Sequence, residues 1–280
     1  FVDMIFDQQA TALFTCRKLY RFFVRTEIST AVETDIIQPL SDDLLATDYN
    51  MIPVLRKLLA SEHFYDVDNG ATGDEIVGSL IRSPLDMFFH IMNTFYIYPP
   101  EPVDTESMQQ HYLEFYIRHF RNSISYSGMD IHLPPSVAGY PSYHQQPNYS
   151  RLWFSSATII GRFSYPDMFL ESKYIGNTGN LWGYTYAPFD IAAFIKDSGF
   201  ISNPEDGEVL VNEFLTYVLA EMPDADRVDY FLSILLDDLS LINWMFEWQN
   251  YVDTNDASAV EIALKRLFRA VLYSVEYQLM

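Results

Sequence analysis

Apolar residues return every three or four positions along most of this chain, in blocks closed by proline, glycine or a capping residue. That rhythm confines the chain to packed helices. Between positions 10 and 25, Leu13, Leu19, Tyr20, Phe23 and Val24 stand among polar neighbours. A second helix is predicted from Thr30 or Ala31, carrying Val32, Ile36, Ile37, Leu40, Leu44 and Leu45. Pro39 should kink or restart it, because proline has no N–H for the helical ladder. Residues 52–61 read as a short helix with Pro53 in its first turn, and Ser83-Pro84 opens another over 83–96. After the PPEPV break at 99–103, a helix is predicted from about 104 to 124.

The stretch 128–149 is rich in Gly, Pro, Ser, Asn and Gln and reads as one long aromatic-bearing connection. Helices are predicted at 150–163 and 165–171, a small hairpin near 172–186, then helices at 187–197, 206–221, 224–238, 240–252 and 256–273, with Asp224 and Thr254 as N-caps. Strands do not alternate with helices, which excludes a doubly wound sheet. The expectation is an all-α, compact multi-helix domain of about ten helices spanning 1–280, with no fixed-period repeat and no linker to force a boundary.

Charge narrows the partners. Seventeen Lys and Arg stand against 38 Asp and Glu, a formal −21, and such a field repels phosphate backbones and anionic lipid alike. Nucleic acid is therefore not an expected partner. No run of about 18 apolar residues offers a transmembrane segment. Cys16 stands alone, so disulfides and multi-Cys zinc sites are not expected; it is either a nucleophile with basic neighbours or, more simply, a small buried hydrophobe. The chain begins at Phe1 rather than Met, and its native N-terminus is expected to lie out of view.

Two clusters could carry binding chemistry. Arg17, Arg21 and Arg25 recur four apart and line one helix face. Their guanidinium groups suit sulfate, phosphate or uronate, or serve as a cationic face on which acidic helices dock. In the 133–154 segment, Tyr140, Tyr143, His144, Tyr149 and Trp153 stand beside Gln145, Gln146 and Asn148. Rings stack on the C–H faces of sugars while amides satisfy hydroxyls; the alternative is that these aromatics fold inward and pin the loop.

Other patterns carry less. Asp66, Asp68, Asp74 and Glu75 resemble a calcium loop, but Ala71 and Val77 occupy the positions that need Gly and Glu. The six histidines form no HExxH or other close ligand pair, so no metal or other cofactor is expected. Asp237, Asp238 and Glu247 offer carboxylates for glycoside hydrolysis, but spacing in sequence does not reveal their separation in space. No GxSxG, P-loop or GxGxxG is present.

Five segments together resemble a known family. They are ATALFTCRKLYRFFV at 10–24, ETDIIQPLSDDLLATDYNMIPVLRKLLASEHFYD at 33–66, SLIRSPLDMFFHIMNTF at 79–95, PPSVAGYPSYHQQPNYSRLWFSSATIIGRF at 134–163, and the terminal EYQLM. In this order they are similar to the C-terminal part of the domain of unknown function 1800 family. The PP-VAG-YP loop followed by Trp153 and Arg162 is among the most specific parts and adds Arg162 to the ligand-binding candidates. The chain departs from the family at Tyr140, where a Trp is usual, and at Gln8 and Gln9, where a His-Pro-like pair is common. The resemblance implies a bacterial, exported (periplasmic or otherwise extracytoplasmic) protein with a longer N-terminal helical half. It also implies a sulfatase-like or phosphatase-like protein encoded nearby as a partner.

Two functions are consistent with these readings. One is a non-catalytic extracytoplasmic module that binds a glycan or a protein through the 133–163 region. The other is a hydrolase acting on polysaccharide or on sulfated or phosphorylated material, with part of its site in the N-terminal half. Exposed stacked aromatics would favour the first, and a deep pocket with perturbed carboxylates or histidines the second.

Overall fold

The computed structural model describes residues 1–65, 76, 79–98, 101, 103–131, 133–134, 137, 149–171 and 188–280. The fold is all-α, and among the described residues the only pairing of strand type is an isolated antiparallel bridge between Ile81 and Leu279. The predicted hairpin at 172–186 lies outside the described residues. The helices form two compact units.

The smaller unit is built from α1 (Val2–Phe6), α2 (Gln9–Phe23), α3 (Thr30–Val32), α4 (Gln38–Ala46) and α5 (Met51–Leu59). Its core gathers Ala12, Cys16, Tyr20, Ile37, Leu40, Leu44, Val54 and Leu58, the inward positions of the periodic pattern. Between α3 and α4 the chain stays helical but widens to a π-turn over Glu33–Ile37, directly ahead of Pro39. The wider turn accommodates a ring that cannot donate a ladder hydrogen bond and would press on the carbonyl four residues back. Asn50 caps α5 by accepting from the Ile52 N–H at 3.2 Å.

The larger unit runs from α6 (Pro84–Thr94) through α7 (Thr105–Gln110), a π-helical continuation (His111–Arg121) and α8 (Asn122–Tyr126). It continues with α9 (Thr158–Phe163), α10 (Tyr165–Glu171), α11 (Ile191–Asp197), α12 (Gly207–Val218), α13 (Ala225–Leu236), α14 (Leu241–Thr254) and α15 (Ser258–Tyr273). Its core is aromatic. The buried Phe95 ring meets Phe268 at 4.9 Å, Phe214 at 5.6 Å, and Phe189, Phe194 and Phe200 each at 5.7 Å, in tilted or edge geometries. Such offsets set the positive edge of one ring on the negative face of the next.

Caps explain most helix starts. Ser83 and Asp86 form a reciprocal capping box, Asp206 caps α12, and Asp224 accepts from Arg227 N at 2.9 Å. Two expectations need correction. The helix predicted over 150–163 is a 3-10 turn (Tyr149–Trp153) followed by a break and a fresh start at Thr158. Ser155 and Thr158 cause the restart by exchanging bonds, Ser155 N to Thr158 Oγ1 at 2.9 Å and Thr158 N to Ser155 Oγ at 3.2 Å. Thr254 does not open α15. It ends α14, donating back to the Asn250 carbonyl at 2.7 Å, while Asp256 accepts from Ser258 N at 3.0 Å.

Where α9 meets the end of α8, the close approach depends on one glycine. A Cβ on Gly161 would stand 2.5 Å from the Tyr126 carbonyl carbon and oxygen and 2.8 Å from Ser127 N, and backbone cannot retreat as a side chain can. Gly161→Ala is therefore expected to lower the melting temperature by at least about 3 °C, despite the better helix propensity of alanine. Thermal denaturation followed by circular dichroism checks this, and an unchanged or higher melting point would contradict the close approach.

Candidate functional site

Of the five residues expected to form a ligand-binding surface, Tyr140, Tyr143 and His144 lie outside the described residues. The other two, Trp153 and Arg162, are brought together inside the larger unit: Trp153 is buried and Arg162 is 0% exposed. The Arg162 side chain extends from α9 and spends its fork on three neutral oxygens. Its Nε donates to Gln278 Oε1 at 2.8 Å, Nη2 to the Arg82 carbonyl at 2.9 Å and Nη1 to the Trp153 carbonyl at 3.3 Å. The guanidinium also lies 5.6 Å from the centre of the Phe154 ring. Burial pushes its pKa down to about 10, so it stays cationic at neutral pH.

Around Arg162 stand other polar groups, Arg82 and Tyr277 buried and His90 half-buried. Arg82 lies 5.0 Å from the Tyr277 ring centre, Tyr277 Oη donates to the Met87 carbonyl at 3.1 Å, and His90 Nδ1 sits 3.3 Å from the same hydroxyl. Burial first, then the charge of Arg82, lowers the His90 pKa from 6.5 to about 4. Burial likewise raises the Tyr165 and Tyr277 hydroxyls well above their ordinary value.

In the smaller unit the predicted anion-binding residues are not gathered on one ligand. Arg17 grips Glu33 with both arms, Nε at 3.1 and 2.9 Å from the two carboxylate oxygens and Nη2 at 2.5 Å. The hydrogen bond from Arg17, with its charge and that of Arg21, holds the Glu33 carboxyl below the usual range. Arg21 Nε donates to the Thr26 carbonyl at 3.3 Å, and Arg25 is half-buried beyond it. Cys16 is fully buried, and that burial pushes its thiol up to about 11, which leaves little nucleophilic thiolate at neutral pH.

The larger unit gathers a cluster that spacing in sequence did not reveal. An open cleft of about 430 Å³ is lined by Ser233, Ile234, Asp237, Asp238, Arg266, Arg269 and Ala270. Arg266 Nη1 pairs with Asp237; Arg269 Nε bonds Asp167 Oδ1 at 2.6 Å, Arg269 Nη2 pairs with Glu171, and Tyr273 Oη donates to Asp167 Oδ2 at 3.0 Å. Asp237 and Asp238 both adopt left-handed backbone, φ 50° and 64°, where a non-glycine residue carries strain. Arg266 also borders a smaller concavity of about 110 Å³ that includes Glu247 and Trp244. Arg266 thus lines both concavities, one with Asp237 and Asp238 and the other with Glu247. The cleft holds both signs of charge, with Asp237, Arg266 and Arg269 already paired, which suits scaffolding as much as ligand capture.

Among the described residues of the larger unit, α14 carries a group of exposed large apolar side chains. Trp244, Trp248 and Tyr251 face inward, Trp244 Nε1 donating to the Pro204 carbonyl at 3.0 Å. At 3.6 residues per turn, Leu241, Ile242, Met245, Phe246 and Val252 fall together on another side, and all are solvent-exposed, Ile242 at 62% and Phe246 at 64%. A helix apolar on both sides is ordinarily covered on both. Eight of the twelve residues of 241–252 are apolar, more than one inward face needs, but periodicity alone names one inward face and is silent about a second.

A family model described as a protein of unknown function (DUF1800) matches residues 1–279. No curated protein and no solved structure matches the chain.

Two outcomes are expected here. Arg162→Lys keeps a charge but cannot reach three acceptors, so it should cost about 3 kcal/mol or more and lower the melting temperature by roughly 10 °C; a parent-like melt would remove the fork from its structural role. Because the His90 pKa is lowered on folding, the unfolded chain takes up a proton that the folded one refuses below pH 6.5. The stability contributed by neutral His90 should thus be complete above pH 6.5 and fall away toward pH 4. Urea melts across that range should show a steeper decline in the parent than in His90→Gln.

Proposed function

Because this chain belongs to the DUF1800 family, whose function is unknown, we propose from its surface that it is a non-catalytic, extracytoplasmic interaction module that holds a partner protein on α14. The observation that carries the reading is the outward side of α14, where Leu241, Ile242, Met245, Phe246 and Val252 are exposed while the inward side is fully packed. Large aromatic and aliphatic side chains clustered on one patch are what anchors a protein interface. A second copy of this chain is a poor occupant, since each molecule carries a formal −21 and like fields repel.

A second reading, hydrolysis of polysaccharide or of sulfated or phosphorylated material, draws on the cleft that holds Asp237, Asp238, Arg266 and Arg269. Turnover of such substrates that is lost in Asp238→Asn with an unchanged fold would favour it.

The partner reading is tested with a photo-crosslinking residue at position 246 in the native cell, then reconstitution of the captured protein with the purified chain. A stoichiometric complex is expected, with Kd raised at least about tenfold by Phe246→Asp and an unchanged melting temperature. Equal capture from exposed position 229 on α13, or an unaltered Kd, would overturn it.

A further inference from the structure

We infer that the partner presents a cationic amphipathic helix, an apolar stripe flanked by Lys or Arg, to the surface centred on α14; this rests on the reading of α14 as the docking face. Between Lys196 and Lys265 the chain carries fifteen Asp and Glu and a single basic residue, Arg227. That arginine is committed: its guanidinium bonds both oxygens of Glu276, at 2.7 and 3.2 Å. Lys265 pairs with Glu261 at 2.6 Å, and Lys196 lies 4.5 Å from the centre of the Tyr251 ring, on the inward side of α14.

Acidic residues stand at both ends of the exposed apolar side. At its start, α12 packs against α14 closely enough that a Cβ on Gly207 would lie 3.1 Å from Leu241 Cδ2 and 3.3 Å from Trp244 Cδ1. The exposed residues Glu205, Asp206 and Glu208 therefore flank the first turn of α14. At its end stand Asp253 and Asp256, both exposed. An apolar strip about three turns long with carboxylates at both ends is the complement of a helix with an apolar stripe and basic flanks. The opposite charge steers the encounter, while Ile242, Met245 and Phe246 supply the buried contact. A neutral apolar segment would gain nothing from these carboxylates, and an acidic one would be repelled.

The test uses two synthetic 18-residue helical peptides with one common leucine stripe, flanked by Lys in one and by Glu in the other. Binding to the parent chain is followed by fluorescence anisotropy. The Lys peptide is expected to bind, to weaken about tenfold between 50 and 500 mM salt, and to weaken at least fivefold against Glu205→Gln/Glu208→Gln/Asp253→Asn, which leaves the Asp206 cap intact. Phe246→Asp should abolish it. Equal binding of both peptides would overturn the charge inference while leaving α14 as a docking face. Failure of both to bind a chain that still forms the crosslinked complex would overturn the inference in its helical form. Failure of both with no crosslink at position 246 would remove the docking face itself. Self-association of the parent that Phe246→Asp dissolves would make a second copy the occupant and overturn it as well.

Discussion

The Arg162 guanidinium lies out of reach of water, and the three oxygens that hold it come from three remote parts of the chain. Trp153 supplies a carbonyl nine residues back, Arg82 another from the entry to α6, and Gln278 an amide oxygen from the C-terminal segment. Desolvating a full charge costs several kcal/mol, so the site persists only while all three segments deliver their acceptors together. That demand ties α9 to the start of α6 and to the end of the chain. Where Gln278 is held, its own backbone carbonyl accepts from Arg82 N at 2.9 Å, which locks the same two strands of chain a second time.

Polar burial of this kind sits beside an aromatic core that provides the bulk of the apolar contact. Phe88 meets Phe120 at 5.1 Å and Phe169 at 5.4 Å, while Phe95 heads the second group of rings. Tilted rings fill space without the regular interdigitation of aliphatic helices, so short helices such as α8, α9 and α10 are stabilised by packing that their own length would not give them. The chain is strongly acidic, and one side of α14 leaves large apolar side chains open to solvent.

Much of this was legible in the order of residues. The spacing of Leu40 and Leu44, the Ser83-Pro84 start and the Asp224 cap all report local events, in which a side chain answers the backbone a few positions away. The family was legible for the same reason that motifs are: RKLYRFF and the residues near Trp153 and Arg162 stand in fixed order along the chain. Less legible was the break at 154–157, where apolar periodicity continues but Ser155 and Thr158 satisfy each other's backbone and reopen the helix.

Beyond those local events, the decisions belonged to tertiary packing. Trp153 and Arg162 look alike in sequence whether they meet a ligand or each other, and only the convergence of Arg82 and Gln278 makes Arg162 an interior charge. Asp237 and Glu247 are two of 38 acidic residues until Arg266 on α15 is seen to line one concavity with each. Helix spans, caps and net charge follow from residue type and near-neighbour geometry, which the order of residues states outright. Which charge is buried and which apolar side stays open depend on segments as distant in the chain as Arg82 and Gln278, and no local pattern encodes such a meeting.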